Sequence, residues 1–258
     1  MTKPVRRILV TNDDGINAPG LKAAIKIANE LSDDVWVVAP MEEKSGASHS
    51  LSLTQPLRLI KKGVQKYAVT GTPTDCVMFA TRHMLRDDPP ELVLSGVNFG
   101  QNIAEDVSYS GTVAGAKEGT VFGIPSVALS QAISLDSRHK IRFEVGVKHG
   151  SAIIRKLFKL DWPQDTLMNI NFPDIEPDAR CKVRITKQGK RDARILCLEE
   201  RIDPRNSPYY WYDFKRESIN AGKGTDIEAI LEGDISITPL KMDHTDTGTK
   251  KKLSALFS

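Results

Sequence analysis

The sequence predicts an α/β protein, a mainly parallel, doubly wound sheet that ends in a β-rich C-terminal extension. Three observations carry this. Short apolar runs, among them Ile8 to Val10, Asp34 to Pro40 and Glu91 to Ser95, each end in a loop of small polar residues. Segments with helical spacing lie between them, and alternating strand and helix is the pattern of a parallel sheet covered on both faces. Beyond Asp174 the alternation stops and short strand-like runs follow one another.

The first strand, in "RRILVTNDDGINAPG", leads through Asp13, Asp14 and Gly15 to "APGLKAAIKIANEL". There Leu21, Ala24, Ile25, Ala28 and Leu31 share one helical face after a Pro-Gly entry. "DVWVVAP" is the second strand, and it opens into the hydroxyl-rich "MEEKSGASHSLSLTQP". "LRLIKKGVQKYAV" reads as a hairpin. "TGTPTDCVMFATRHML" reads as a turn into a helix, with Thr72 at the N-cap and Pro73 at the first helical position. A strand over Glu91 to Ser95 then precedes a loop rich in Gly and Asn, a helix starts near Ser110 to Thr112, and "IPSVALS" is the next strand. "FEVGVKHGSAIIRKLFKL" is amphipathic, with Val145, Ile153 and Phe158 among its apolar positions, and "LMNINFP" is a strand. After Asp174, "CKVRITKQG", "RILCLEERI", "YYWYDFKRE" and "DISITPLKM" read as strands, and "GTDIEAILEG" as turn-like.

A chain of 258 residues with 40% apolar content can build one large α/β domain with a small appendage. The division expected is a core over 1–174 and an extension over 175–258 packed on it. A net charge of +3 with scattered basic residues speaks against a nucleic-acid groove, and the run Lys250 to Lys252 is expected in solvent. Cys76, Cys181 and Cys197 are far apart and odd in number, which argues against a disulfide framework and a zinc cluster and for a reducing cytoplasm. No apolar run approaches a signal or membrane-spanning length, so a cytoplasmic protein without membrane partners is expected.

Two adjacent carboxylates at a strand end repel, so one must be protonated or a cation must sit between them. The plainer alternative is a helix cap and a turn residue. In open α/β sheets ligands bind outside the carboxyl ends of the strands, where these acids lie. Three strand ends carry oxygen donors: Asp13 with Asp14, the Ser45 to Ser50 loop, and Asn98 with Asn102. Carboxylate, hydroxyl and amide oxygens suit Mg²⁺ or Mn²⁺ better than Zn²⁺. His49 is expected as a solvent-exposed loop imidazole rather than a ligand. A helix starting at Ser110, Gly111 and Thr112 offers free N–H groups to phosphate, though taken alone the stretch reads better as an ordinary Ser or Thr N-cap, and "GTPTD" is open to the same two readings. Neither a GxGxxG after the first strand nor a P-loop motif is present, which disfavours dinucleotide and NTPase folds.

Taken in order, "VTNDDGINAPG", "VVAPMEEKSGASHSLSL", "VTGTPTDCV", "LVLSGVNFGQN", "YSGTVAGAKEG", "AGKGTD" and "GDISITPL" resemble the survival protein E (SurE) family of metal-dependent nucleotidases, from the first strand to roughly residue 240. The resemblance implies a Rossmann-like core whose β-rich extension swaps between subunits of a homodimer or dimer of dimers. It implies hydrolysis of nucleoside 5'- and 3'-monophosphates, with short polyphosphate as a further substrate of some members. One divalent cation per subunit, Mg²⁺ or Mn²⁺, falls on Asp13, Asp14, Ser45 and Asn98, with Asp13, Asp14 and Asn98 as the catalytic set. The phosphate pocket falls on Asn102, Ser110, Gly111 and Thr112. "NFGQN" departs from many relatives in carrying Phe99 and Gln101 where they have small residues and proline, which bears on base preference.

The mechanism expected is in-line attack by a water that the cation acidifies, with an aspartyl-phosphate route as the variant. Two rivals are a Mn²⁺-dependent glycosyltransferase, which needs an acceptor, and a nucleotide sensor, which leaves its ligand intact. The aromatics Tyr209, Tyr210, Trp211 and Tyr212 suit a subunit interface better than a base.

Overall fold

The structure is a computed structural model and describes residues 3–134, 142–191, 196–214 and 221–257. The expected strand positions 194–195 and 215–217 lie outside the described residues.

The first half forms β1 (Arg7–Thr11), α1 (Pro19–Leu31), β2 (Asp34–Pro40), β3 (Leu59–Gly63), β4 (Lys66–Val69), α2 (Pro73–Phe79) and β5 (Leu92–Phe99). Then come α3 (Asp106–Tyr109), α4 (Gly111–Val121), β6 (Ser126–Gln131), α5 (Glu144–Leu157) and β7 (Thr166–Phe172). The remainder is β8 (Val183–Ile185), β9 (Leu196–Ile202), β10 (Pro208–Phe214), α6 (Asp226–Leu231), β11 (Ile235–Lys241) and α7 (Thr247–Leu256).

Nine strands make one sheet in the order β3-β4-β2-β1-β5-β6-β7-β11-β8. The pairings from β4 through β7 are parallel, and the β3–β4 hairpin and β7–β11 are antiparallel. The central strands are buried on both faces, so they read as continuous apolar runs. Their side chains still alternate. Ile8, Val10, Val37, Ala39, Leu92 and Leu94 join the core under α1 and α5, while Leu9, Val38 and Val93 join Cys76, Val77 and Ala80 of the α2 side. Each buried Val, Leu or Ile side chain contributes about 1.5–3 kcal/mol, so the two-sided core sets which way every strand faces.

From β1 the chain steps to β2 on one side and later returns to β5 on the other. That reversal opens a crevice at the carboxyl ends of β1 and β5, where Asp13 and Asn98 stand.

Two local readings need correction. The strand expected over Glu91 to Ser95 is β5, Leu92–Phe99, so Asn98 is a strand residue and not part of a loop. The ladder shifts register between Ser95 and Asn98, then resumes with Asn98 opposite Ser130 and Phe99 opposite Gln131. Gly96 makes the shift, with φ +128 and no room for a Cβ, which would lie 2.1 Å from the Leu129 carbonyl oxygen. The "GTDIEAILEG" stretch is helix α6, capped by Thr225, which accepts from Glu228 N–H. The run Lys250 to Lys252 lies in solvent as expected, on the exposed helix α7.

In the segment after Asp174, β11 and β8 extend the main sheet, and β9 with β10 form a separate two-stranded sheet. No helix among the described residues is long and apolar enough to cross a membrane.

Candidate active site

The site assembles from the ends of β1 and β5, the loop after β2, and the start of α4. Asp13 and Asp14 follow β1 directly. Asp13 is 3% exposed, and the Lys44 N–H donates to its backbone oxygen at 2.7 Å, which ties the loop after β2 to the end of β1. The Thr112 hydroxyl donates to Asp13 Oδ1. Gly111 lies so close that a Cβ there would be 2.8 Å from Asp13 Cβ. Asp14 Oδ2 accepts the Phe99 N–H at 3.2 Å.

Burial raises the pKa of both acids. For Asp13 the Thr112 hydroxyl and backbone N–H oppose burial, and Glu43 adds to it. Asp14 is pushed up to about 7, first by burial and next by the charge of Asp13, with the Phe99 N–H opposing. The groups acting on the pair are thus neutral donors and a further acid, with no lysine or arginine among them. A buried and a half-buried acid side by side, with no cation among the groups that act on them and with amide and hydroxyl oxygens nearby, match the donor set of a hard divalent ion. Among the described residues no three His, Cys, Asp or Glu side chains gather into a metal set, here or elsewhere, so an ion at the paired acids would need hydroxyl or amide oxygens as well.

Asn98 donates through Nδ2 to the Gly100 carbonyl at 2.9 Å, which turns Oδ1 away as its acceptor. Ser45 is exposed, and its hydroxyl donates to Glu43 Oε1 at 2.8 Å. Asn102 is buried, unlike Asn98 and Ser45. Its N–H donates to Asn171 Oδ1 and its Nδ2 to Ser130 Oγ, both at 2.8 Å, which fixes the loop after β5 to β6 and β7.

The start of α4 differs from the expected open anion nest. Ser110 is the N-cap, accepting the Val113 N–H at 3.0 Å. Thr112 turns its hydroxyl and N–H to Asp13, so the chain's own carboxylate occupies that part of the helix terminus. "GTPTD" takes its plainer reading as a capping box between Thr72 and Asp75.

Sequence reasoning missed the acids that pin the loop over residues 41–56. His49 is an exposed loop residue, as expected, but its Nε2 also lies 2.9 Å from Oε2 of Glu118, a buried acid on α4. Ser48 Oγ donates to the Ser108 carbonyl at 2.8 Å, and Asp75 accepts from Ser52 N–H and Oγ at 3.1 and 2.7 Å. Asp226 holds the far side, accepting N–H groups of Ala104 at 3.0 Å and Gly189 at 2.7 Å. An acid within an otherwise apolar or small-residue helix, as Glu118 is in "VAGAKEGTV", was the available signal.

The sequence model of the family described as survival protein SurE matches residues 8–195. The 5'-nucleotidase SurE of Parvibaculum lavamentivorans is 55% identical over 248 residues, 96% of this chain and 90% of the relative. That of Azorhizobium caulinodans is 53% identical over 251 residues, 97% and 98% of the two chains. The crystal structure of the SurE protein from Aquifex aeolicus matches with a TM-score of 0.83 at 39% identity, over 98% of this chain and 100% of that one.

Proposed function

The chain belongs to the survival protein SurE family, and from that premise we propose that it is a 5'-nucleotidase, releasing nucleoside and phosphate with the help of a divalent cation. The observation that carries the proposal is the Asp13–Asp14 pair, Asp13 buried and Asp14 half-buried, raised in pKa and set between the end of β5 and the start of α4.

Asp13 and Asp14, with the Ser45 hydroxyl and Asn98 Oδ1, are the residues to hold one Mg²⁺ or Mn²⁺ ion. Bound there, such an ion supplies charge neutralisation for the phosphoryl group and an acidified water. Thr112 keeps Asp13 in place. Ser110, Gly111, Thr112 and Asn102 border the phosphate, with Asn102 acting through the loop it anchors. In the hydrolysis a water oxygen bonds to phosphorus, the ester P–O bond breaks in line, and the nucleoside oxygen leaves with a proton. We extend the substrates to 3'-monophosphates and short polyphosphate on the family resemblance.

The β9–β10 hairpin exposes Tyr209, Tyr210, Trp211, Tyr212, Leu198 and Ile202 away from the main sheet. Such a patch supports a homodimer or dimer of dimers in which the extension is exchanged. The spacing and odd number of cysteines support a cytoplasmic setting.

The test is phosphate release from nucleoside 5'- and 3'-monophosphates, short polyphosphate and an aryl phosphate, with Mg²⁺, Mn²⁺ or chelator, and with Asp14→Asn as control. The expected result is metal-dependent release that favours nucleotides and is lost in the variant. Nucleotide binding without phosphate release under any metal would overturn the proposal in favour of a sensor.

A further inference from the structure

Most exposed apolar side chains in a protein need no explanation when they occur singly. Phe99 and Tyr109 are different because of where their backbones are held. Phe99 is 45% exposed and Tyr109 62%, and both flank the paired acids.

The Phe99 N–H is itself a donor to Asp14, so its Cα stands beside that carboxylate. The chain on either side is anchored. Asn98 pairs with Ser130 in the sheet, the Gly100 N–H donates to the Gln131 carbonyl at 3.0 Å, and Gln101 Oε1 accepts the Ile133 N–H at 3.2 Å. Tyr109 closes α3 on another wall. Its carbonyl accepts the Ser48 N–H at 3.1 Å, and two residues on, Gly111 lies against Asp13. The backbone of each aromatic residue is therefore held within two residues of a group that touches Asp13 or Asp14. No ring partner is recorded for either among the described residues.

A nucleoside monophosphate whose phosphate lies at the acids carries a flat, largely apolar base away from them. Aromatic side chains held at the rim are the chemistry that receives such a base, through stacking that tolerates base identity and strengthens with ring area. We infer that Phe99 is a specificity-determining residue that stacks on the nucleobase, with Tyr109 as the second aromatic wall. The inference rests on the nucleotidase reading and deepens it. The class selected is the nucleoside monophosphate over sugar phosphates, with purines ahead of pyrimidines.

The experiment compares kcat/KM for adenosine 5'-monophosphate with that for ribose 5-phosphate, which shares the sugar and phosphate but lacks the base, in the unaltered protein, Phe99→Ala and Phe99→Trp. The expected result is a ratio that falls roughly 5- to 150-fold in Phe99→Ala, mainly through KM, and is restored in Phe99→Trp. The inference is overturned if the ratio is unchanged in Phe99→Ala. It is equally overturned if both substrates lose alike, since that is the mark of a disturbed Asp14. Calorimetric titration with the same two compounds and Mg²⁺ reads the ratio as affinities without turnover. If the unaltered protein binds but hydrolyses neither compound, the nucleotidase reading fails, and the affinity ratio still decides the role of Phe99.

Discussion

Replacing Thr112 by valine isolates the bond that holds the deeper of the two acids. Thr112 is fully buried, and its hydroxyl is a donor to the buried Asp13 carboxylate. Valine keeps the volume and the β-branch, so no cavity opens, and the Thr112 N–H to Asp13 remains. What is lost is one hydrogen bond to a charged acceptor, about 1.5–3 kcal/mol. In a chain of this size that corresponds to a fall in Tm of roughly 3–10 °C. The loss depends on pH, with a definite sign. Burial raises the folded pKa of Asp13 above its unfolded value, so this group favours the folded state at low pH, and that contribution is lost as pH rises through the folded pKa. The hydroxyl opposes the rise, and removing it pushes the folded pKa higher. The destabilisation is therefore full where Asp13 is ionised in the unaltered protein, and it shrinks toward the ~1 kcal/mol of a neutral hydrogen bond as pH falls below that point. Urea and thermal unfolding in chelator across a pH series measures this. A destabilisation that is independent of pH, or absent, would refute the assigned bond to Asp13.

Three further outcomes follow from the same geometry. Because burial raises both acids, Asp14 to about 7, Mg²⁺ or Mn²⁺ binding should release protons at and below that pH, and affinity should climb with pH by about tenfold per unit for each proton displaced; calorimetry in buffers of different ionisation enthalpy checks this, and zero proton release one unit below the Asp14 pKa would count against it. Gly96→Ala places a Cβ against the Leu129 carbonyl at a φ of +128, a strain of about 1–3 kcal/mol before the clash is relieved, so the variant should lose folded yield and Tm, and an unchanged melting curve would contradict the β5 geometry. His49→Ala leaves the buried Glu118 without the imidazole that meets it, costing about 1–3 kcal/mol and exposing the loop over 41–56 to limited proteolysis sooner than in the unaltered protein; equal digestion rates would show that the contact does not hold the loop.

Much of the fold could be read from the chain because its elements carry their own signals. The central strands are covered on both faces, so β1, β2, β6 and β7 stand out as apolar runs with clear ends. Helices α1 and α2 announce themselves through Pro19 and through Thr72 with Pro73. Asp13 and Asp14 could be placed at a crevice because they end a buried strand of an open sheet. Where local signals were weak, the reading failed. Asn98 looked like a loop residue because glycine precedes it, and only pairing with β6 beyond Gly96 carries it into the strand. The short α6 depends on packing, with Ile227 and Ala229 buried, more than on its own periodicity.

By itself, then, the sequence determined the alternation of strand and helix, the type of donor atoms available and the strand ends that bear them, since those depend on neighbours a few residues apart. The tertiary structure alone decided what those atoms meet. Thr112 reaches Asp13 across 99 positions of sequence, Glu118 reaches His49 across 69, and the Phe99 N–H reaches Asp14 across 85. Such contacts follow from sheet order and from burial, which together fix distances and desolvate charges, and neither quantity is local to any stretch of chain.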